Sequence, residues 1–225
     1  MSWRIHSNKF KVLDMPLNGH TDDLSGNGYD GTPTSLTYEE NSYGKQAGLF
    51  DSADSMVAVA NNSDLQGLFD GGATVSAMVR ADSDGEGDNG KIIYKLDDYV
   101  LAVVNEAAGV MDVRFTQYHS TTNGRWITTA EELDVGSFVH IVVTYNSSSV
   151  DNDPTMYIQG NNVALTEAST PVGTADNSTN NLIIGNSSAS DRTFDGLIGQ
   201  VKVYKGMMAT YDEVLKLWRM SMRGM

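Results

Sequence analysis

Four acids alternate through Asp82, Asp84, Glu86 and Asp88 in the run DSDGEGDNG. Alternating carboxylates with a glycine at the sharp turn are how a calcium loop begins, because a hard cation gathers oxygen ligands at short intervals. An EF-hand-type loop closes on a bidentate acid at its twelfth position, and that position here is Ile93. The run therefore reads first as a solvated acidic hairpin loop, with Ca2+ at these four acids as the alternative. A second acidic pair, Glu132 and Asp134 in EELDVGS, is of the kind that could flank a glycosidic bond, since hydrolysis needs two carboxylates across one cleft. The same residues read more simply as the turn entering FVHIVVTY. The histidines His6, His20, His119 and His140 are widely separated and lack HExxH spacing. Serine-hydrolase, P-loop and Rossmann signatures are absent. The sequence thus predicts a protein that is not an enzyme. For ligand binding the candidates are Trp126 with its neighbour Arg125 in NGRWITT, and Tyr118. A loop indole beside a guanidinium could stack a pyranose ring, although a tryptophan closing the edge of a core fits the same pattern.

The elements that must hold these residues are mostly strands. DSMVAVA places Met56, Ala58 and Ala60 on one face and Val57 and Val59 on the other. ATVSAMVRA, GKIIYKL, DYVLAVVN, VMDVRFTQY, FVHIVVTY, TMYIQG, NLIIGN and GQVKVYKG continue the theme. Clusters rich in Gly, Asn, Asp and Ser, such as NSSSVDNDP and ADNSTNN, separate them. Many short strands at such spacing predict an all-β sandwich. One segment departs: in MATYDEVLKLWRM, Val214, Leu215 and Trp218 recur at helical spacing, and Thr210 with Glu213 has the spacing of a capping box. A short helix is expected from Tyr211 to about Trp218. With no linker, low-complexity tract or internal repeat in view, residues 1–225 read as one domain.

The chain has 225 residues, a formal net charge of −14 and no cysteine. That length supplies an ample core without disulfides. An acidic surface repels phosphate backbones and anionic lipid, so nucleic acid is excluded as a partner. No apolar run approaches the ~20 residues needed to span a bilayer, which excludes membrane insertion. The N-terminal MSWRIHSNKFKV lacks the apolar region of a signal peptide, so the chain is expected to be made in the cytoplasm. Both ends are basic, with Arg4, Lys9 and Lys11 at one and Lys216, Arg219 and Arg223 at the other. The closing WRMSMRGM adds methionines, which adapt to irregular apolar surfaces. Trp3, Arg4, Trp218, Arg219, Met222 and Arg223 are the candidate partner-docking residues.

The ordered set of motifs resembles the laminin-G-like, concanavalin A-type lectin/glucanase domains. MPLNGHTDDLSGNGYDGT is similar to that family's opening strand and glycine turn, and GKQAGLFDSADSMVAVANNSDL to its next segment. ATVSAMVRA, GSFVHIVVTYN, MYIQGN, NLIIGN and FDGLIGQVKVYKGMMATYDEVLKLW resemble the later strands and final helix, in family order. The likeness runs over roughly residues 12–218. It implies an all-β, two-sheet antiparallel jelly roll with a short C-terminal helix, often binding carbohydrate and sometimes holding a structural calcium. The chain departs where the family usually carries an aspartate after Gly-x-Ile, since Gly199 stands there. Family-related glucanases also carry a third acid beyond the pair matched by Glu132 and Asp134, and here it is missing. The resulting expectation is a non-catalytic recognition module, first as a protein-docked component of a virion surface, homo-oligomeric or bound to a partner. A stand-alone carbohydrate-binding module is the alternative, and a glycoside hydrolase the second alternative.

Overall fold

The computed structural model describes residues 9–40, 44–51, 54–130 and 133–224, the side chains of residues 223 and 224 excepted. Its strands are β1 (Lys11–Met15), β2 (Gly31–Thr34), β3 (Thr37–Glu40), β4 (Gln46–Phe50), β5 (Met56–Val59) and β6 (Ala73–Ala81). There follow β7 (Lys91–Lys95), β8 (Tyr99–Ala107), β9 (Val110–Gln117), β10 (Gly124–Thr128), β11 (Leu133–Asp134) and β12 (Phe138–Tyr145). The last are β13 (Thr155–Ile158), β14 (Asn161–Val163), β15 (Leu165–Ser169), β16 (Leu182–Ile184) and β17 (Gly196–Lys205), before helix α1 (Tyr211–Gly224). They form two antiparallel sheets. The first has 8 strands in the order β14-β13-β12-β6-β17-β4-β3, with β1 also on β17. The second has 9, in the order β15-β10-β9-β8-β7-β16-β5-β2, with β11 on β9.

Alternation decides what lies between the sheets. From the first sheet come Val75, Ala77 and Val79 of β6, Ile141, Val143 and Tyr145 of β12, and Val201 and Val203 of β17. The second sheet answers with Leu101 and Val103 of β8, Val113 and Phe115 of β9, and Val57 and Val59 of β5. A change of parity would turn each set outward, so the hydrophobic pattern itself pins the register. Gly199 occupies a bulge in β17, where the register with β6 shifts between Ile198 and Gln200.

The outward residues of the first sheet are covered by α1. Val142, Tyr157, Ala209 and Val214 form one buried cluster there. Trp218 Nε1 donates to Gln159 Oε1 at 3.1 Å, and Ser221 Oγ to Gln200 Oε1 at 3.1 Å. The helix begins as its sequence predicts: Glu213 Oε2 accepts from both the backbone N–H and the hydroxyl of Thr210, each at 2.9 Å. It runs on to Gly224 rather than ending near Trp218, because Ser221, buried and bonded to Gln200, extends the docked stripe by a turn. His140 lies on this covered face, fully buried, with Nε2 2.8 Å from Ser76 Oγ, a packed strand residue with a hydroxyl partner.

The glycine-rich stretch after β1 is a turn organised by one carboxylate. Asp23 accepts from the backbone N–H groups of Asp14 (3.0 Å), Ser25 (2.9 Å) and Tyr29 (3.0 Å) and from Ser25 Oγ (2.6 Å). These bonds hold its carboxyl below the usual carboxylate value despite partial burial, which pulls the other way. Gly31 is required for closeness: a Cβ there would stand 2.3 Å from Val57 Cγ1 and 2.9 Å from Met15 Cε.

Candidate functional site: the outer face of the second sheet

The second sheet carries a second apolar layer on its outer side. Tyr94, Val100, Ala102, Val104 and Ile183 are buried there, with Met56, Ala58, Tyr118 and Ile127 packed against them. Strand β8 is thus apolar on both faces, which explains why YVLAVV is an unbroken apolar run rather than an alternating one. Cross-strand register lays the outward residues out in two transverse rows. One runs Arg125, Thr116, Val100, Tyr94, Ile183 and Ala58 across β10, β9, β8, β7, β16 and β5. The neighbouring row runs Ile127, Arg114, Ala102 and Lys91. Small residues form the floor, and tyrosines and cations rise from it.

At the β5–β16 end the face opens into a concavity of about 400 Å³ lined by Met56, Ala58, Thr179, Asn180, Asn181, Ile183 and Ser188. Its rim offers amides and hydroxyls over an apolar base, the mixture that fixes and orients a small ligand. Tyr94 stands between this concavity and the cations. Burial is the main cause pushing its phenol up to about 12, and a hydrogen bond from Ser188 opposes it, so the hydroxyl is protonated at neutral pH. Lys91 Nζ lies 6.0 Å from the Tyr94 ring centroid and donates to Asn89 Oδ1 at 3.0 Å. Arg114 Nη2 donates to the same oxygen. Lys91 is only 7% exposed; burial first, then the Arg114 guanidinium, pulls its ammonium down to about 7. Burial likewise lowers Arg114 from its ordinary value.

Of the residues singled out from sequence, Arg125 and Tyr118 lie on this face, and Trp126 does not. With Arg125 and Ile127 outward, Trp126 must point inward, and it is 1% exposed. Its ring lies against Phe115 (centroids 6.1 Å, planes 23° apart) and Tyr145 (5.3 Å, 54°), and Nε1 donates to Asp153 Oδ1 at 2.8 Å. Only its edge borders a shallow concavity of about 260 Å³ with Asp153, Thr155 and Glu167. The expectation of a sugar platform at Trp126 is corrected: its faces are taken by the core.

The acidic loop between β6 and β7 disperses its carboxylates. Asp82 takes a two-pronged bond from Arg80 (3.0 and 2.6 Å), Asp84 accepts from Glu106 N–H (3.0 Å), and Glu86 Oε2 reaches Thr193 (3.4 Å). Asp88 is exposed in a left-handed turn at φ +55°. Among the described residues no three acid, histidine or cysteine side chains converge as a metal set, which corrects the calcium reading of Asp82, Asp84, Glu86 and Asp88. Of the docking candidates, Trp3 and Arg4 lie outside the described residues, as does the side chain of Arg223. Trp218 sits half-buried against Gln159 at the end of β13, Met222 is half-buried, and Arg219 is exposed. Glu132 lies outside the described residues, and Asp134 is exposed in β11.

A family model described as the concanavalin A-like lectin/glucanases superfamily matches residues 51–213. The chain belongs to this superfamily. No curated protein matches it significantly. Among solved structures, the binding domain of Paraclostridial Mosquitocidal Protein 1 is similar at a TM-score of 0.71 and 16% identity, covering 95% of this chain and 52% of that one. Domain 4 of AbnA, an extracellular arabinanase of Geobacillus stearothermophilus, solved with arabinotriose, has a TM-score of 0.62 and 16% identity over 92% and 97%. The binding domain of Botulinum neurotoxin DC, solved with rat synaptotagmin II, has 0.68 and 12% over 96% and 52%. The chain spans about half the length of the toxin binding domains it resembles. At these identities the likeness is one of fold, and it gives the superfamily's two-sheet sandwich independent support. Sequence reasoning overlooked Lys91, Tyr94 and Arg114; the available signal was β8, whose unbroken apolar run announces an apolar outer face on which flanking cations are unusual.

Proposed function

We propose that this chain is a non-catalytic carbohydrate-binding module that presents the outer face of its second sheet to glycans. The observation that carries the reading is the concavity over Ala58 and Ile183, rimmed by Thr179, Asn180, Asn181 and Ser188 and flanked by Tyr94. A sugar ring presents hydroxyls at its edge and C–H groups on its faces, and this surface pairs amides and hydroxyls with an apolar base and an aromatic neighbour. Among the described residues no carboxylate lines the concavity, whereas most glycoside hydrolysis uses two. The likeness in fold to the arabinanase domain solved with arabinotriose supports the same reading. The virion-surface reading draws no comparable support, so the carbohydrate-binding module is preferred. A glycan array tests it: saccharide binding that weakens in Asn180→Ala, with no released sugar, is expected. An array without a single binder overturns it.

A second reading, docking on a protein, rests on Met208, Tyr211 and Met220, which are exposed beside or along α1. Gel filtration over a range of concentrations tests it; a monomer throughout argues against self-association.

A further inference from the structure

We propose that the outer face of the second sheet selects saccharides bearing an anionic group, which docks among Lys91, Arg114 and Arg125 beside the amide-rimmed concavity. The inference rests on the carbohydrate-binding reading and adds the chemical class of the ligand. Three strands contribute the cations: β7 gives Lys91, β9 gives Arg114 and β10 gives Arg125. Lys91 and Arg114 stand on either side of Ala102 in one transverse row, and Arg125 enters the next. They grade inward from exposed Arg125 through half-buried Arg114 to buried Lys91, and the Asn89 amide that Lys91 and Arg114 share is the neutral group an arriving anion would displace.

These charges are not neutralised by the protein. No ion pair among the described residues involves Lys91, Arg114 or Arg125; the pairs present lie elsewhere. Lys91 and Arg114 share the neutral oxygen of Asn89. Arg114 Nε is buried with no hydrogen-bond partner among the described residues. A buried donor without an acceptor, and a cation out of water without a counter-charge, each cost free energy that a bound anion would recover. The acids within reach are committed. Asp191 accepts from Ser187 Oγ at 2.6 Å and lies 3.9 Å from Arg192, and Asp112 accepts from Asn105 (2.9 Å) and Thr128 (3.1 Å). In a chain of net charge −14, three cations with Asp191 as the one acid acting on Lys91, and no ion pair to it, form a local exception to the field.

The ligand class follows from what adjoins the cations. Arg114 and Arg125 offer planar forks suited to the two oxygens of a carboxylate or sulfate. Tyr94 and the concavity beyond it take a neutral ring. A polyphosphate chain such as nucleic acid would meet the acidic remainder of the surface, so a single anionic group on a sugar fits better. Lys91 is faced by Arg114, Arg125, Arg192 and Asp191 and, on its own strand, Tyr94. Its ammonium sits near the midpoint of its titration at neutral pH, so an arriving anion should draw a proton onto it.

The test uses the full chain and matched probes: a galacturonic acid trisaccharide, its methyl ester, and sulfated and unsulfated galactose oligosaccharides. Calorimetry should show the free acid binding at least about tenfold tighter than the ester, the margin of a hydrogen bond to a charged group. At pH 8 the acid should bind with proton uptake, seen as a dependence on buffer ionisation enthalpy. Arg125→Gln, at an exposed position and so safe for folding, should erase the preference, as should Arg114→Gln. Lys216→Gln, an equal charge change on exposed α1, should keep it. A sulfate preference over the unsulfated sugar supports the anion site and identifies sulfate as its source. Equal affinity for acid and ester, with sulfate also giving no gain, overturns the inference while leaving carbohydrate binding intact. No binding in any arm overturns both.

Discussion

Replacing Trp126 by alanine separates a core indole from a surface platform. The ring stacks on Phe115, leans on Tyr145 and donates through Nε1 to Asp153. Deleting a buried aromatic of this size costs about 3–5 kcal/mol in transfer and cavity terms. Asp153 loses its N–H donor, but its carboxylate borders the open concavity beside the indole edge and can turn to water, so the total should stay near 4 kcal/mol. For a chain of this length each kcal/mol moves Tm by about 2–4 °C, so a drop of about 8–16 °C is expected. The assay is thermal unfolding followed by near-ultraviolet circular dichroism, with Trp126→Phe as the intermediate case expected to keep more than half of the lost stability. A glycan that binds the wild type should bind the folded Trp126→Ala chain with little change. An unaltered Tm together with lost glycan binding would refute the reasoning and return Trp126 to the surface.

Four further outcomes follow from the same structure. Burial, aided by Lys202, pulls His140 down to about 3; its folded value lies below the ordinary 6.5, so the stability it carries is complete above pH 6.5 and declines as pH falls toward 3. Acid unfolding of wild type should therefore steepen by up to about 1.4 kcal/mol per pH unit in that window, and His140→Gln should flatten the slope. Gly185→Ala should destabilise strongly, by more than about 2 kcal/mol in urea titration, because the added Cβ would meet Phe50 ring carbons at 2.0 Å from a backbone at φ +81°. Glu213→Ala should cost about 0.5–2 kcal/mol in the same titration by removing the acceptor at the start of α1. Calcium and chelator should leave Tm equal, since Asp82, Asp84 and Glu86 serve separate partners and Asp88 is exposed; a calcium-dependent rise would restore a metal to that loop.

What the sequence made legible was what period and order encode. The expected strand at ATVSAMVRA is β6 residue for residue, and the split of Val57 and Val59 from Met56 and Ala58 is the split between core and outer face. Thr210 and Glu213 marked the helix start because a cap is a local device. Both readings of Trp126, platform and core edge, stayed open in the sequence because NGRWITT has turn residues on one side, and only pairing with Phe115 and Glu167 on β9 and β15 fixes which way its ring points. The acidic run kept calcium open as an alternative because its spacing says nothing of Glu106 and Thr193, distant in sequence, which donate to Asp84 and Glu86. Lys91, Tyr94 and Arg114 escaped for the same reason: their grouping exists only once β7, β8 and β9 are in register.

The most direct test of a glycan-reading outer face is an amide nuclear magnetic resonance titration of the isotopically labelled chain with its best-binding saccharide. Shifts concentrated at Lys91, Tyr94, Val100, Arg114 and Arg125 and around residues 179–188, with the sugar recovered intact, are the predicted result. Shifts confined to α1 or to the loop from Asp82 to Asp88, or a cleaved sugar, would contradict it.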